Sequence, residues 1–219
     1  MSRQEFSNSQ AFIQFALERK VIQFGEFTLK SKRVAPYFFN TGLFNDGQSL
    51  ERLGRFYAAA ILEADLKPDL LFGPAYKGIP LVAAVATALS REHGLNLPYA
   101  FNRKEAKSYG DKGTVVGAPL KGQVLIVDDV LTAGTAVDEA TTLIQAHGAC
   151  VLGVVIAFDR KEWGTVEGRL AVDEVRQRHG IEVLSVASIE DLIEQAENGA
   201  CDQEQVARIR AYLQRFGQA

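Results

Sequence analysis

From Pro68 onward the chain alternates short apolar runs with longer stretches of helical period, and few folds accommodate that rhythm. Residues 70–72, 99–101, 124–127, 151–158 and 183–186 read as strands. Helical patterns lie between them near residues 79–92, 135–147 and 170–179. Runs such as VLIV are apolar on both alternating sides, as suits strands buried on two faces, so the spacing predicts an α/β fold with a parallel sheet covered by helices.

Upstream, Ala11, Phe12, Phe15 and Ala16 recur at helical spacing within residues 10–19, and Leu53, Phe56, Tyr57, Ala60 and Ile61 do so within residues 51–63. Between them FGEFTLKSKRVAPYFFNTG, with aromatic and β-branched residues around a polar SKR turn, predicts a hairpin. The tail predicts a helix after Ser188, an N-cap with Asp191 three residues on, and another over residues 203–216. With 219 residues, 47% of them hydrophobic, and no repeat, low-complexity segment or linker, one unit is the simplest organisation. A net charge of -3 gives no overall basic footprint, which argues against a general nucleic-acid or membrane-surface binder. Cys150 and Cys201 follow no metal-ligand spacing, and no run reaches membrane-spanning length or resembles a secretion signal, so the expected location is cytoplasmic.

In such a sheet, ligands bind beyond the carboxyl ends of the strands. There the segment VLIVDDVLTAGTA, residues 124–136, places two adjacent carboxylates at a strand end. Neighbouring carboxylates repel unless a cation or hydrogen-bond donors stand between them. Thr132, Ala133, Gly134, Thr135 and Ala136 then lead into a helix whose unpaired N–H groups and positive dipole end favour a phosphate. One loop thus offers acceptors for sugar hydroxyls and donors for a sugar phosphate. The competing reading is an ordinary strand-turn-helix with a threonine cap.

Other segments carry compatible chemistry. FGPAYKGIP presents Tyr76 and Lys77 in a constrained turn, where a lysine and free amides suit a pyrophosphate, although Lys77 could equally be a solvated turn residue. Residues 101–121 hold five basic side chains against two acidic ones together with Gly110, Gly113 and Gly117, the composition of a mobile lid over a polyanion or of a charged surface loop. Arg160 follows the 151–158 strand and could meet a ligand carboxylate or simply pair with Asp159 or Glu162. His93, His147 and His179 fall on or at the ends of predicted helices, away from these motifs, which gives no support to metal clusters or histidine-based triads.

VLIVDDVLTAGTA resembles the phosphoribosyl-pyrophosphate (PRPP) signature of the type I phosphoribosyltransferases. GEFTLKS, PYFFNTGLF, DLLFGPAYKGIP, FNRKEAK and the FDR of residues 158–160 match, in order and spacing, the orotate-specific bacterial branch of that family, from Gly25 to Arg160. The resemblance implies a type I (Rossmann-like) fold: a central, mainly parallel sheet flanked by helices, with a small N-terminal hood subdomain. In one domain spanning 1–219, residues 1–65 would form the hood and N-terminal helices, 66–187 the core sheet with a mobile lid near 103–117, and 188–219 the C-terminal helices. It implies transfer of ribose 5-phosphate from PRPP to orotate, giving orotidine 5'-phosphate and pyrophosphate, with Mg2+ held mainly by substrate oxygens and water and no direct protein ligand.

The implied PRPP site comprises Lys30, Tyr76, Lys77, Arg103, Lys104, Lys107, Tyr109 and the loop Asp128, Asp129, Val130, Leu131, Thr132, Ala133, Gly134, Thr135 and Ala136. Asp128, Asp129, Arg103, Lys104 and Lys107 would carry catalysis, and Phe38, Phe39, Thr132 and Arg160 would line the orotate site, with Lys30 beside the sugar. A homodimer is implied, with active sites shared across the interface and Lys104 delivered by the neighbouring subunit. Two positions depart from the family pattern. Tyr109 stands where histidine is common, and Lys32 replaces the glycine of a family SGR turn. The rival functions are a phosphoribosyltransferase for another base and a non-catalytic nucleotide sensor; the cationic segment around Lys104 favours an enzyme.

Overall fold

The computed structural model describes residues 8–29, 32–107, 113–197 and 202–218. Helix α1 (Asn8–Glu18) leads into the hairpin β1 (Ile22–Thr28) and β2 (Val34–Phe39), followed by α2 (Gly47–Glu63). The strands β3 (Leu70–Gly73), β4 (Tyr99–Lys107), β5 (Gly113–Gly117), β6 (Gln123–Asp128), β7 (Cys150–Asp159) and β8 (Glu182–Ser188) form one sheet in the order β5-β4-β3-β6-β7-β8. Every pairing in it is parallel except β4 with β5. The helices α3 (Gly78–His93), α4 (Thr135–Ala146), α5 (Ala171–His179), α6 (Ile189–Gln195) and α7 (Gln203–Phe216) complete the chain.

Alternation along the central strands builds two cores. Leu71, Leu125, Val127, Val155 and Ala157 face one side, where they join Phe12, Leu53, Leu81, Leu192 and Leu213 from α1, α2, α3, α6 and α7. Leu70, Phe72, Val124, Ile126, Val154 and Ile156 face the other, under Val137 and Ile144 of α4 and Val172 and Val175 of α5. Both faces of the central strands β3, β6 and β7 are therefore dry, which is why these strands read as unbroken apolar runs. The caps agree with the sequence: Ser188 and Asp191 form a capping box, the Ser188 N–H donating to Asp191 Oδ2 at 2.7 Å.

The hairpin lies outside the main sheet and pairs only with itself. At its tip Lys32 has φ 63°, the left-handed conformation that glycine adopts without penalty, which accounts physically for a glycine at that position of the turn. The segment expected to be a lid differs from a plain loop. Strand β4 continues to Lys107, and β5 returns antiparallel to it, pairing Phe101 with Val116 and Asn102 with Val115. This edge ribbon is partly exposed on both faces, so its charged and glycine residues show no clean two-residue period.

A tight approach shapes the start of α3. A Cβ on Gly73 would stand 2.2 Å from the Gly78 carbonyl oxygen and 2.7 Å from Val82 Cγ1. Gly73→Ala is expected to cost about 2–3 kcal/mol by overpacking, read as a lower urea midpoint at unchanged m-value; a midpoint matching the parent would show that the β3-α3 turn can spread.

Candidate functional site

The strand order reverses between β3 and β6, and Tyr76, Lys77 and the 128–136 loop follow the carboxyl ends of these two strands. Asp128 ends β6 and Asp129 follows it; each residue is only 7% exposed. Asp129 resolves the problem of adjacent carboxylates. Its Oδ2 accepts from Lys77 Nζ at 2.5 Å and from Thr41 Oγ1 at 2.8 Å, and its Oδ1 accepts from the Val130 N–H at 2.9 Å. Asp128 accepts from the Asp129 N–H at 2.9 Å, and its carbonyl oxygen takes the buried Tyr57 hydroxyl at 2.7 Å. With so little support for its charge, the Asp128 carboxyl is pushed up to about 7, first by burial and then by the charge of Asp129. Tyr57 is raised too, by burial and then by the same two acids, and so remains a donor.

Beyond the acids, Leu131 is buried, while Thr132, Ala133 and Thr135 are exposed. Gly134, the N-cap of α4, has φ 79° and supplies no side-chain cap. Among the described residues, the N–H groups of Thr132 through Ala136 meet no protein acceptor, and they gather at the positive end of the helix dipole. That arrangement is suited to a phosphate-sized anion.

The β3-α3 turn faces this loop through Lys77. Asn102 on β4 pins the turn, its Oδ1 accepting from the Ala75 N–H at 2.8 Å, and the Ala75–Tyr76 peptide bond is cis. Tyr76 is 69% exposed, and Lys104 Nζ lies 5.1 Å from its ring centroid. Lys104 thus reaches the turn of its own chain, without a second copy. Lys30 and Tyr109 lie outside the described residues, and of Lys107 only the backbone, at the end of β4, is described.

The aromatic pair of β2 splits. Phe39 is buried and stacks on Phe158 at 4.8 Å, whereas Phe38 is exposed and stacks on Phe27 at 5.5 Å. Only Phe38 offers an open face. Arg160 sits just past β7 in a half-buried ion pair, its Nη2 2.5 Å from Glu162 Oε1, the pairing the sequence offered as the plain alternative. No group of three or more His, Cys, Asp or Glu side chains among the described residues could hold a metal ion, and no described helix is long and apolar enough to cross a membrane. Thr41 and Asn102 were not singled out from the sequence, while Tyr57 was read only as a helix-face residue and Glu162 only as a possible ion-pair partner of Arg160. Thr41 lay within PYFFNTGLF, and the inward alternation of Ala35, Tyr37 and Phe39 in that strand is visible once the two-residue period is applied.

Paired acids beside an uncapped helix start, at the point where the strand order reverses, fit a phosphoribosyl transferase domain, and a family model of that description matches residues 41–174. Curated relatives called orotate phosphoribosyltransferase include those of Thioalkalivibrio sulfidiphilus, 56% identical over 94% of this chain and 96% of that protein, and Stutzerimonas stutzeri, 53% identical over the same shares. A solved orotate phosphoribosyltransferase from Francisella tularensis superposes with a TM-score of 0.86 at 43% identity, covering 95% of this chain and all of that one. The chain belongs to the orotate phosphoribosyltransferase family.

Proposed function

We propose that the protein transfers ribose 5-phosphate from PRPP to orotate, releasing pyrophosphate and forming orotidine 5'-phosphate, the step that commits orotate to pyrimidine nucleotide synthesis. The observation that carries this reading is the continuity of the buried Asp128 and Asp129 with the uncapped start of α4, which sets carboxylates and free amides in one loop. The 5'-phosphate sits on the amides of residues 132–136, and the acids hold the ribose hydroxyls. As the bond to pyrophosphate lengthens, the sugar becomes cationic, and the carboxylates offset that charge. Lys77, released from Asp129, and the cations Arg103, Lys104 and Lys107 receive the departing pyrophosphate, with Tyr76 and Tyr109 alongside. No protein nucleophile is required.

Orotate lies against the open face of Phe38, near Thr132, with its carboxylate on Arg160; Phe39 backs this wall from the core. Enzymes of this family typically use Mg2+ with PRPP, and the residues fit an ion carried by substrate. In this reading the ribose hydroxyls take the Asp129 oxygen that Lys77 gives up, and an ion that keeps much of its hydration would be held by substrate oxygens and water. When bound, Mg2+ neutralises pyrophosphate charge. Two copies with shared sites and a cytoplasmic location belong to the same reading, supported by the match over 94% of the chain. Mixing inactive variants of Lys77 and Lys107 tests sharing: regained turnover in the mixture supports it, and none would refute it.

Pyrophosphate release from PRPP and Mg2+ across a panel of bases tests the assignment. Release with orotate alone is expected; release with uracil or hypoxanthine but not orotate overturns it. The Asp128 carboxyl adds a pH dependence. Its raised value leaves it neutral below about 7, when it cannot accept from both ribose hydroxyls. The KM for PRPP is therefore expected to rise up to about tenfold for each pH unit below that value, beyond any change from the phosphates of PRPP itself. Asp128→Asn should flatten the excess, and identical pH profiles for the two proteins would refute it.

A further inference from the structure

We propose that Glu162 is a positioning residue for Arg160, locking the guanidinium so that its remaining N–H groups meet the acceptor carboxylate; this rests on the orotate reading above. The Arg160 and Glu162 side chains are 13% and 12% exposed, and they pair at 2.5 Å through a single nitrogen of the guanidinium. The same Glu162 oxygen accepts from the Tyr37 hydroxyl at 3.2 Å. Tyr37 also lies under the guanidinium, 5.6 Å from its ring centroid, and is itself braced edge-on by Tyr212 at 6.5 Å. Arg160 Nε is buried and has no hydrogen-bond partner. A guanidinium carries five N–H donors in a planar fork that matches a carboxylate edge. Glu162 therefore fixes the plane of the fork through Nη2, and with Nε shut away from solvent the donors left for a carboxylate are the other N–H groups of the two terminal nitrogens.

Glu162 is itself fastened from behind by the chain terminus. It forms an antiparallel bridge with Gly217, the Trp163 N–H donates to the Phe216 carbonyl at 2.8 Å, and the Gln218 N–H donates to the Lys161 carbonyl at 2.9 Å. A Cβ at Gly217 would stand 2.3 Å from the Lys161 oxygen, so the approach is as close as glycine allows. The Ala171 N–H secures the Glu162 carbonyl at 3.0 Å on the other side. The end of α7 and the two residues after it thus hold the backbone around Glu162 in place.

A merely structural ion pair would weaken everything together, whereas a positioning residue acts through Arg160 alone. Glu162→Gln is expected to raise the KM for orotate about tenfold while the KM for PRPP stays within about twofold, and to add nothing in an Arg160→Gln background. Tyr37→Phe removes one hydrogen bond to Glu162 and should raise the orotate KM about threefold, which carries the same test where Glu162→Gln does not fold. Equal rises in both KM values, or additive effects of the Arg160 and Glu162 substitutions, overturn the inference. If Arg160→Gln raises the orotate KM and Glu162→Gln does not, the inference alone is wrong. An orotate KM unmoved by Arg160→Gln overturns the acceptor reading and the inference with it.

Discussion

Replacing both acids, Asp128→Asn with Asp129→Asn, is expected to lower kcat/KM by about a thousandfold or more while the protein stays folded. Asparagine keeps the shape of each side chain but removes the charge that, in the proposed mechanism, faces the sugar as it becomes cationic. It also turns a donor toward groups that need an acceptor. Asp129 receives Lys77, Thr41 and the Val130 amide at once, so an amide there leaves at least one buried donor without its partner. The Lys77 ammonium, 58% exposed along its side chain, would be freed to swing toward solvent. Steady-state rates with varied PRPP, alongside a thermal melt, check both halves of this expectation. Turnover within tenfold of the parent would mean that neither carboxylate meets the reacting sugar.

The second large effect is expected at Gly134, where a side chain would disturb the proposed phosphate loop in two ways. Its φ of 79° is a conformation that L-residues hold only at a cost, and a Cβ would stand 2.8 Å from Val175 Cγ2 on α5. Gly134→Ala is therefore expected to destabilise the fold by about 2–3 kcal/mol, from the strained backbone together with overpacking. Relief by shifting the loop would turn the amides of residues 132–136 away from a common point. The KM for PRPP should then rise about a hundredfold, since several charge-assisted hydrogen bonds to the 5'-phosphate weaken together. An unchanged KM in a destabilised protein would separate the fold's need for this glycine from the ligand's.

The same loop shows how much could be read before any tertiary contact was known. Two-sided burial of VLIV and the glycine ahead of α4 are local properties written in consecutive side chains, whereas the neighbouring threonines left a cap possible until the structure put Gly134 at the N-cap. The helix bounds of α7 and the capping box of α6 were legible for the same reason. The ribbon β4-β5 was not, because an edge exposed on both faces imposes no period on its residues. Nor was the division of Phe38 from Phe39, since adjacent residues in a strand point to opposite sides and only the neighbouring layer says which side is filled.

By itself the sequence determined the α/β layering, the place of the anion-ready loop and, through ordered motifs, the family. What the tertiary structure decided is who meets whom there. Thr41 and Lys77 reach Asp129 from 88 and 52 residues away, and the chain terminus reaches the segment that carries Arg160 and Glu162. Hydrophobic period encodes which face of an element is buried, but the partner on that face depends on strand order and crossover, which are set by the collective packing of both cores.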